Sequence, residues 1–239
     1  MQDRRADRRS YAVMKILHVS DLHSTATWFD WLIAVSPKYD LICLTGDILN
    51  LGDLSAEIDL EIDTALTRLA QIKTPLALCS GNHDLHYLSG QDRAQWMKSL
   101  RRKNVWIDGD MFWFCDYRFR CIGWCEPVSR GIGEDFWLMH APPYGAKTSM
   151  VAGGISHGDE EARDLCLAGD GPRCTLGGHV HQALGFWGVL HDTMSLNPGR
   201  GNHPVCPNHI VLDLKEGSMT RHHATLSGIT CTTLDFRTR

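Results

Sequence analysis

Residues 14–47 read MKILHVSDLHSTATWFDWLIAVSPKYDLICLTGD, and this stretch decides the fold. Residues 14–20 are an apolar run that stops at Ser20-Asp21, and residues 27–35 place Trp28, Trp31, Leu32 and Val35 at helical spacing. Residues 39–45 are a second short apolar run, bounded by Pro37 and Gly46. A strand buried on both faces reads this way, because polar residues alternate on neither face. Strand, helix and strand in succession imply parallel strands joined by a right-handed crossover.

Outward from this unit the pattern repeats and then changes. Residues 56–72 predict a helix with Ile58, Ile62, Ala65, Leu66 and Leu69 on one face. Residues 75–80 predict a third strand, ended by Gly81-Asn82, and residues 91–102 a third helix with Trp96, Met97 and Leu100 inward. Beyond this point strands dominate, at 105–107, 111–115, 119–124, 136–140, 174–177, 185–190, 193–196 and 209–214, with one helix at 159–167. No Pro/Gly/Ser linker separates the two halves, so the pattern predicts one domain of two packed sheets with helices outside them. We place this domain at 14–225, with 1–13 (MQDRRADRRSYAV) as a disordered basic lead and 226–239 as a C-terminal tail. Met14, which opens the first strand, is a candidate translation start.

Composition narrows the class. The chain has 239 residues, 43% hydrophobic and 22% charged, which fits a folded protein with a core. No apolar run approaches the ~18 residues of a membrane span. Lys and Arg number 24 against 28 Asp and Glu, a net charge of −4. This acidic balance argues against membrane attraction and disfavours a nucleic-acid partner without eliminating it. Nine scattered cysteines form no Cys-x-x-Cys pair, which predicts reduced thiols and a cytoplasmic location.

The polar residues that end the strands carry the chemistry. They are Asp21 and His23, Asp47, the run Asn82-His83-Asp84, His140, and the pair His179 and His181. In open α/β sheets the carboxyl ends of strands line the ligand crevice, so these groups converge. Imidazoles, carboxylates and an amide carbonyl suit divalent Mn, Fe, Zn or Co. Seven candidate ligands (Asp21, His23, Asp47, Asn82, His140, His179 and His181) exceed what one ion with an open position takes and suit two ions sharing a carboxylate. Two dications against two carboxylates leave about two net positive charges, a local anion trap suited to phosphate.

In this order, Asp21-x-His23, Gly46-Asp47, Gly81-Asn82-His83-Asp84, His140-Ala141-Pro142-Pro143 and Gly178-His179-Val180-His181 closely resemble the five motifs of the calcineurin-like metallophosphoesterase superfamily. The likeness runs from residue 14 to about 215. It implies a four-layer α/β/β/α sandwich with two mixed sheets flanked by helices. It also implies two divalent ions per chain, Mn ahead of Fe or Zn. The first would be held by Asp21, His23, Asp47 and His181, the second by Asp47, Asn82, His140 and His179, with Asp47 as the bridge. A hydroxide between the ions would attack phosphorus in line, with His83 as acid or charge stabiliser and Asp84 as the carboxylate orienting it.

The resemblance therefore points to a metal-dependent phosphoesterase acting on a small phosphate ester, a phosphodiester or nucleotide rather than a phosphoprotein. Protein phosphatases of the superfamily carry Glu after Asn-His, where this chain has Asp84. The alternatives are a non-catalytic scaffold on the same fold, or within the enzyme class an exonuclease. The other histidines read more simply: His18 as a packed strand residue, and His191, His209, His222 and His223 as surface. His86 is a loop residue or a pocket residue, Tyr144 a packing residue or a substrate contact, and Arg200, in Asn197-Pro198-Gly199-Arg200, a solvated charge or a phosphate contact.

Overall fold

The computed structural model describes residues 14–50, 58–85 and 94–236. The βα half comprises β1 (Lys15–Val19), α1 (Ala26–Val35), β2 (Leu41–Thr45), α2 (Ile58–Leu69), β3 (Leu76–Cys79) and β4 (Val105–Trp106). It is followed by β5 (Met111–Phe114), β6 (Tyr117–Ile122), β7 (Phe136–Met139), α3 (Glu160–Leu167) and β8 (Cys174–Leu176). The chain ends with β9 (Trp187–Leu190), β10 (Thr193–Leu196), β11 (His209–Asp213), β12 (Ser218–Thr225) and β13 (Gly228–Asp235).

Period-two alternation sorts the side chains of the central strands between two cores. Leu17, Val19, Ile42, Leu44, Leu76 and Leu78 face outward under Trp28, Phe29 and Leu32 of α1 and Ala65 and Leu69 of α2. Ile16, Leu41, Cys43, Ala77 and Cys79 face inward, toward the second sheet. Parallel pairing of β1 to β2, β2 to β3 and β3 to β4 makes one half of the first sheet. Antiparallel pairing of β1 to β11, then β12 and β13, extends it to seven strands in the order β13-β12-β11-β1-β2-β3-β4.

The second sheet runs β5-β6-β7-β8-β10-β9, parallel at its centre and antiparallel at both edges. Its inner face meets the first sheet through stacked rings: Trp106 on Phe112 at 3.9 Å, Phe112 on Phe119 at 5.1 Å and Phe119 on Phe136 at 4.8 Å. Cys43, Cys79, Cys121 and Cys174 fill the narrower space between the sheets, and burial raises all four thiols, keeping them uncharged. All nine cysteines are free. On the outer face α3, started by Asp159 accepting the Ala162 N–H, packs Ala162 against a small core of Ile122, Trp137 and Met139. The result is the expected four layers, with two mixed sheets between helices.

Some expectations are corrected. Of the helix expected at 91–102, the described residues form a 3-10 segment, Gln95–Leu100, which still buries Trp96, Met97 and Leu100. The start of the 56–72 helix, and His86, lie outside the described residues. The stretch 226–239, read as a tail, contains β13, and the sequence reading missed β12 as well. Their polar residues give no apolar run, and their order comes from pairing, β12 on β11 and the edge strand β13 on β12. His209 is not a surface residue. It is 6% exposed, tilted on Trp31 at 4.7 Å and stacked on His222 at 4.4 Å.

Burial lowers the His209 pKa from 6.5 to about 4, with the neighbouring His222 adding to the shift. Its stabilising contribution is therefore complete above pH 6.5 and lost as pH falls toward 4, where the unfolded chain binds a proton that the folded ring refuses. Urea unfolding should show up to about 3 kcal/mol of lost stability from this residue over that range. His209→Phe should flatten the pH slope by that amount, and an unchanged slope would contradict a buried neutral ring.

Candidate metal centre

Five parallel strands end at one edge of the sandwich. Asp21 and His23 follow β1, Asp47 follows β2, Asn82 follows β3, His140 follows β7, and His179 and His181 follow β8. The loops are joined by main-chain hydrogen bonds: Asp21 N–H to Gly46 O at 3.1 Å, His23 N–H to Asp47 O at 2.9 Å, and Gly178 N–H to His140 O at 2.8 Å. Four of the seven residues sit in the left-handed region, Asp21 at φ 57°, His23 at 43°, Asp47 at 50° and His179 at 64°. Each such position costs roughly 1–2 kcal/mol for a residue with a Cβ, and such strain concentrates at functional sites. Gly46 has φ 84°, and a Cβ there would overlap the His140 ring. Only glycine lets the Asp47 loop approach His140 this closely.

Two groups of ligand atoms converge. Asp21, His23, Asp47 and His181 form one, and Asp47, His140 and His179 the other, with Asp47 common to both. In the first, His23 Nε2 lies 3.2 Å from His181 Nε2 and 3.7 Å from Asp47 Oδ2, and His181 Nε2 lies 3.3 Å from Asp21 Oδ1. In the second, His140 Nε2 is 3.1 Å from Asp47 Oδ2. Ligands at ~2.1 Å from an ion are about 3.0–3.4 Å from one another in octahedral or tetrahedral geometry, so the 3.1–3.3 Å separations match the edges of coordination polyhedra and the 3.7 Å one lies just beyond them. Asp21 Oδ2 and Asn82 Oδ1 are buried without a hydrogen-bond partner, which is unfavourable unless a cation completes them.

Electrostatics keeps Asp21, Asp47, His23 and His179 in ligand form, whereas His140 holds a proton that a bound cation would displace. Burial raises the Asp47 pKa, yet His140, the His83 N–H and His23 outweigh it and hold the carboxyl below the usual carboxylate range. Burial similarly opposes ionisation of Asp21, and a hydrogen bond with His181 and the charge of His140 reverse it. His23 and His179 are lowered to about 4 by burial, so each presents a lone pair at neutral pH. For His140, burial lowers the pKa, but Asp47 and Asp21 raise it to about 9. Its Nδ1 donates to Thr45 O at 2.7 Å, which turns Nε2 toward Asp47. Such a second hydrogen bond fixes tautomer and ring direction for metal ligation.

The structure brings all seven sequence-predicted ligand residues to this edge, and His83 with them. The His83 N–H donates to Asp47 Oδ1 at 2.9 Å and its ring is edge-on to His23 at 5.0 Å. Asp84 is a correction. Instead of orienting His83, it is fully buried, with Oδ1 accepting the Ile48 and Leu49 N–H groups at 2.9 Å and Oδ2 the Gly81 N–H at 2.8 Å. It ties the loop after β3 to the loop after β2. Burial and the Asp47 charge raise its pKa to about 8 against these donors.

Supporting residues escaped the sequence reading. The Asn197 amide donates to the Thr148, Gly178 and Val180 carbonyls at 2.9–3.0 Å and so pins the loop carrying His179 and His181. Trp124 packs its ring 5.7 Å from His140 and 5.3 Å from His179. The only sequence signal for either was the Asn-Pro-Gly turn. The Tyr144 ring packs under Arg163 at 5.2 Å, and Arg200 lies over Trp28 at 5.5 Å.

No curated protein matches the chain. Among solved structures, TT1561 of Thermus thermophilus superposes over 95% of this chain and 100% of that one, with TM-score 0.56 and 17% identity. The purple acid phosphatase PPD1 from yellow lupin (Lupinus luteus) seeds superposes with TM-score 0.59 and 13% identity, over 94% of this chain and 54% of its own. At these identities the two establish a shared fold. The family model for calcineurin-like phosphoesterases matches residues 14–183, the segment that carries every ligand candidate. The chain belongs to the calcineurin-like phosphoesterase family, hydrolases of phosphate esters that bind divalent metals.

Proposed function

We propose that this phosphoesterase uses two divalent ions, Mn ahead of Fe or Zn, to hydrolyse phosphodiesters or nucleotide-type phosphate esters. The observation that carries the reading is the position of Asp47, whose Oδ2 stands 3.7 Å from His23 Nε2 and 3.1 Å from His140 Nε2. A carboxylate placed there serves both ligand groups. Asp21, His23, Asp47 and His181 would hold one ion, and Asp47, Asn82, His140 and His179 the other. When bound, such ions lower the pKa of water toward neutrality and neutralise the phosphoryl oxygens.

The chain's own groups supply the rest. His83, held to Asp47 through its main-chain N–H, offers an imidazole that protonates the leaving oxygen or stabilises its charge. Asp84 keeps the loops of Asp47 and His83 in register through its three main-chain hydrogen bonds. Trp124 shields one flank, packed against His140 and His179. A scaffold without activity would not need the unpartnered buried atoms Asp21 Oδ2 and Asn82 Oδ1 to be kept in place.

Metal-stripped protein given back single metals and assayed on bis(p-nitrophenyl) phosphate and p-nitrophenyl phosphate tests this reading. Asp47→Asn should lose bound metal and turnover together. His83→Asn should retain metal, measured by elemental analysis, while kcat falls about 10²–10⁴-fold. Full activity in His83→Asn on an ester with a poor leaving group would remove it from the proton-transfer role.

Asp84→Ala should cost at least about 3 kcal/mol in urea unfolding of the metal-free protein, since three buried N–H groups lose their acceptor. A loss under about 1 kcal/mol, with turnover reduced as in His83→Asn, would return Asp84 to orienting the imidazole.

A further inference from the structure

Beside the first ligand group lies an open cleft of ≈ 570 Å³, one wall of which is His181. Its charged lining is entirely basic: Arg200 and Arg221, with His223 next to them, and no carboxylate among the described residues that line it. In a chain of net charge −4 this is a local inversion of sign. Neither arginine forms an ion pair with a carboxylate among the described residues. Arg221 is half-buried, with Nε and Nη2 donating to Pro198 O at 3.1 and 3.0 Å and the guanidinium 5.4 Å from the Phe186 ring centre. A cation removed from water and met only by that carbonyl, a ring and the His223 Nδ1 at 3.2 Å, none of them an anion, is incompletely compensated.

Arg200 lines the same cleft. Its N–H donates to His181 O at 3.0 Å, its guanidinium lies over Trp28 at 5.5 Å, and Trp28 Nε1 donates to His203 O at 2.9 Å in the same loop. The side chain therefore leans on Trp28, itself held by His203, while its donors remain exposed to the cleft. Because His181 belongs both to the ligand group and to the cleft wall, a molecule seated at the ions reaches the arginines with its adjoining arm. The scissile phosphoryl group already meets the metal ions, so the charge of the cleft is available to another group.

We propose that this cleft takes a second anionic group of the substrate, a phosphate or a carboxylate outside the scissile phosphoryl group, with Arg200 and Arg221 as specificity residues. The inference rests on the phosphoesterase reading and narrows its substrate class. Guanidinium groups suit either anion, since both present paired oxygens to the planar fork of donors.

Three p-nitrophenyl alkyl phosphodiesters separate the possibilities, with the retained arm ending in a phosphate, a carboxylate or an uncharged carboxamide. With metal-loaded enzyme, kcat/KM should be on the order of tenfold higher for an anionic arm than for the carboxamide, expressed mainly in KM. The phosphate and carboxylate arms show which anion fits better. Arg200→Gln, at an exposed position, should bring the anionic esters down toward the carboxamide ester. Equal kcat/KM for all three esters, or a preference that survives Arg200→Gln undiminished, would overturn the proposal. Calorimetric binding of the same esters separates it from the reading it rests on. If none is hydrolysed, the phosphodiester reading falls, while an Arg200-dependent preference for the anionic arms in binding still supports the cleft and its absence overturns it.

Discussion

The site depends on one buried carboxylate placed where five loops meet. Asp47 sits in the left-handed region at φ 50°, immediately after a glycine whose missing Cβ admits the His140 ring. Its main-chain carbonyl accepts the His23 N–H, its Oδ1 accepts the His83 N–H, and its Oδ2 faces the imidazoles of His23 and His140. Burial alone would protonate such a group, and the surrounding imidazoles and N–H donors reverse that tendency. Without this carboxylate the two ligand groups would share no member and the loops would lose their common acceptor.

The scaffold makes the strained constellation sustainable. Two extensive cores, one under α1 and α2 and one between the sheets, fix the strand ends from which the ligand loops project. The loops then hold one another through Asp84, Asn197 and the main-chain bonds between successive strand ends. Left-handed residues at four ligand positions are tolerated because many independent contacts over-determine them. The charge pattern follows the same division. An acidic protein places Arg200 and Arg221, without a carboxylate partner among the described residues, beside its first ligand group.

Much of this was legible in the chain itself, for a physical reason. A strand buried on both faces must be apolar throughout and must end abruptly where its loop turns polar, so β1, β2, β3, β7 and β8 announce themselves together with the ligands that follow them. The helices α1 and α2 show equally well, because a core-facing stripe at period 3.6 cannot be hidden in sequence. Where burial was not the organising force, the reading failed. Strands β12 and β13 are polar and are ordered by pairing with a neighbour, and His209 is buried by Trp31 and His222, residues far from it in the chain. Asp84 shows the same limit at the site. Its neighbour in sequence is His83, but its hydrogen bonds go to the loop after β2.

The sequence by itself determined which residues end the strands, and hence the ligand types and the alternation of layers, since these follow from local periodicity and from residue chemistry. Only the tertiary structure decided the distances of the ligand atoms around Asp47, what Asp84 and Asn197 hold, and that Arg200 and Arg221 line one cleft with His181. Those relations join positions from separate strands and loops. Hydrogen bonds and charge fields act across space, and their partners are set by how the sheets pack rather than by order along the chain.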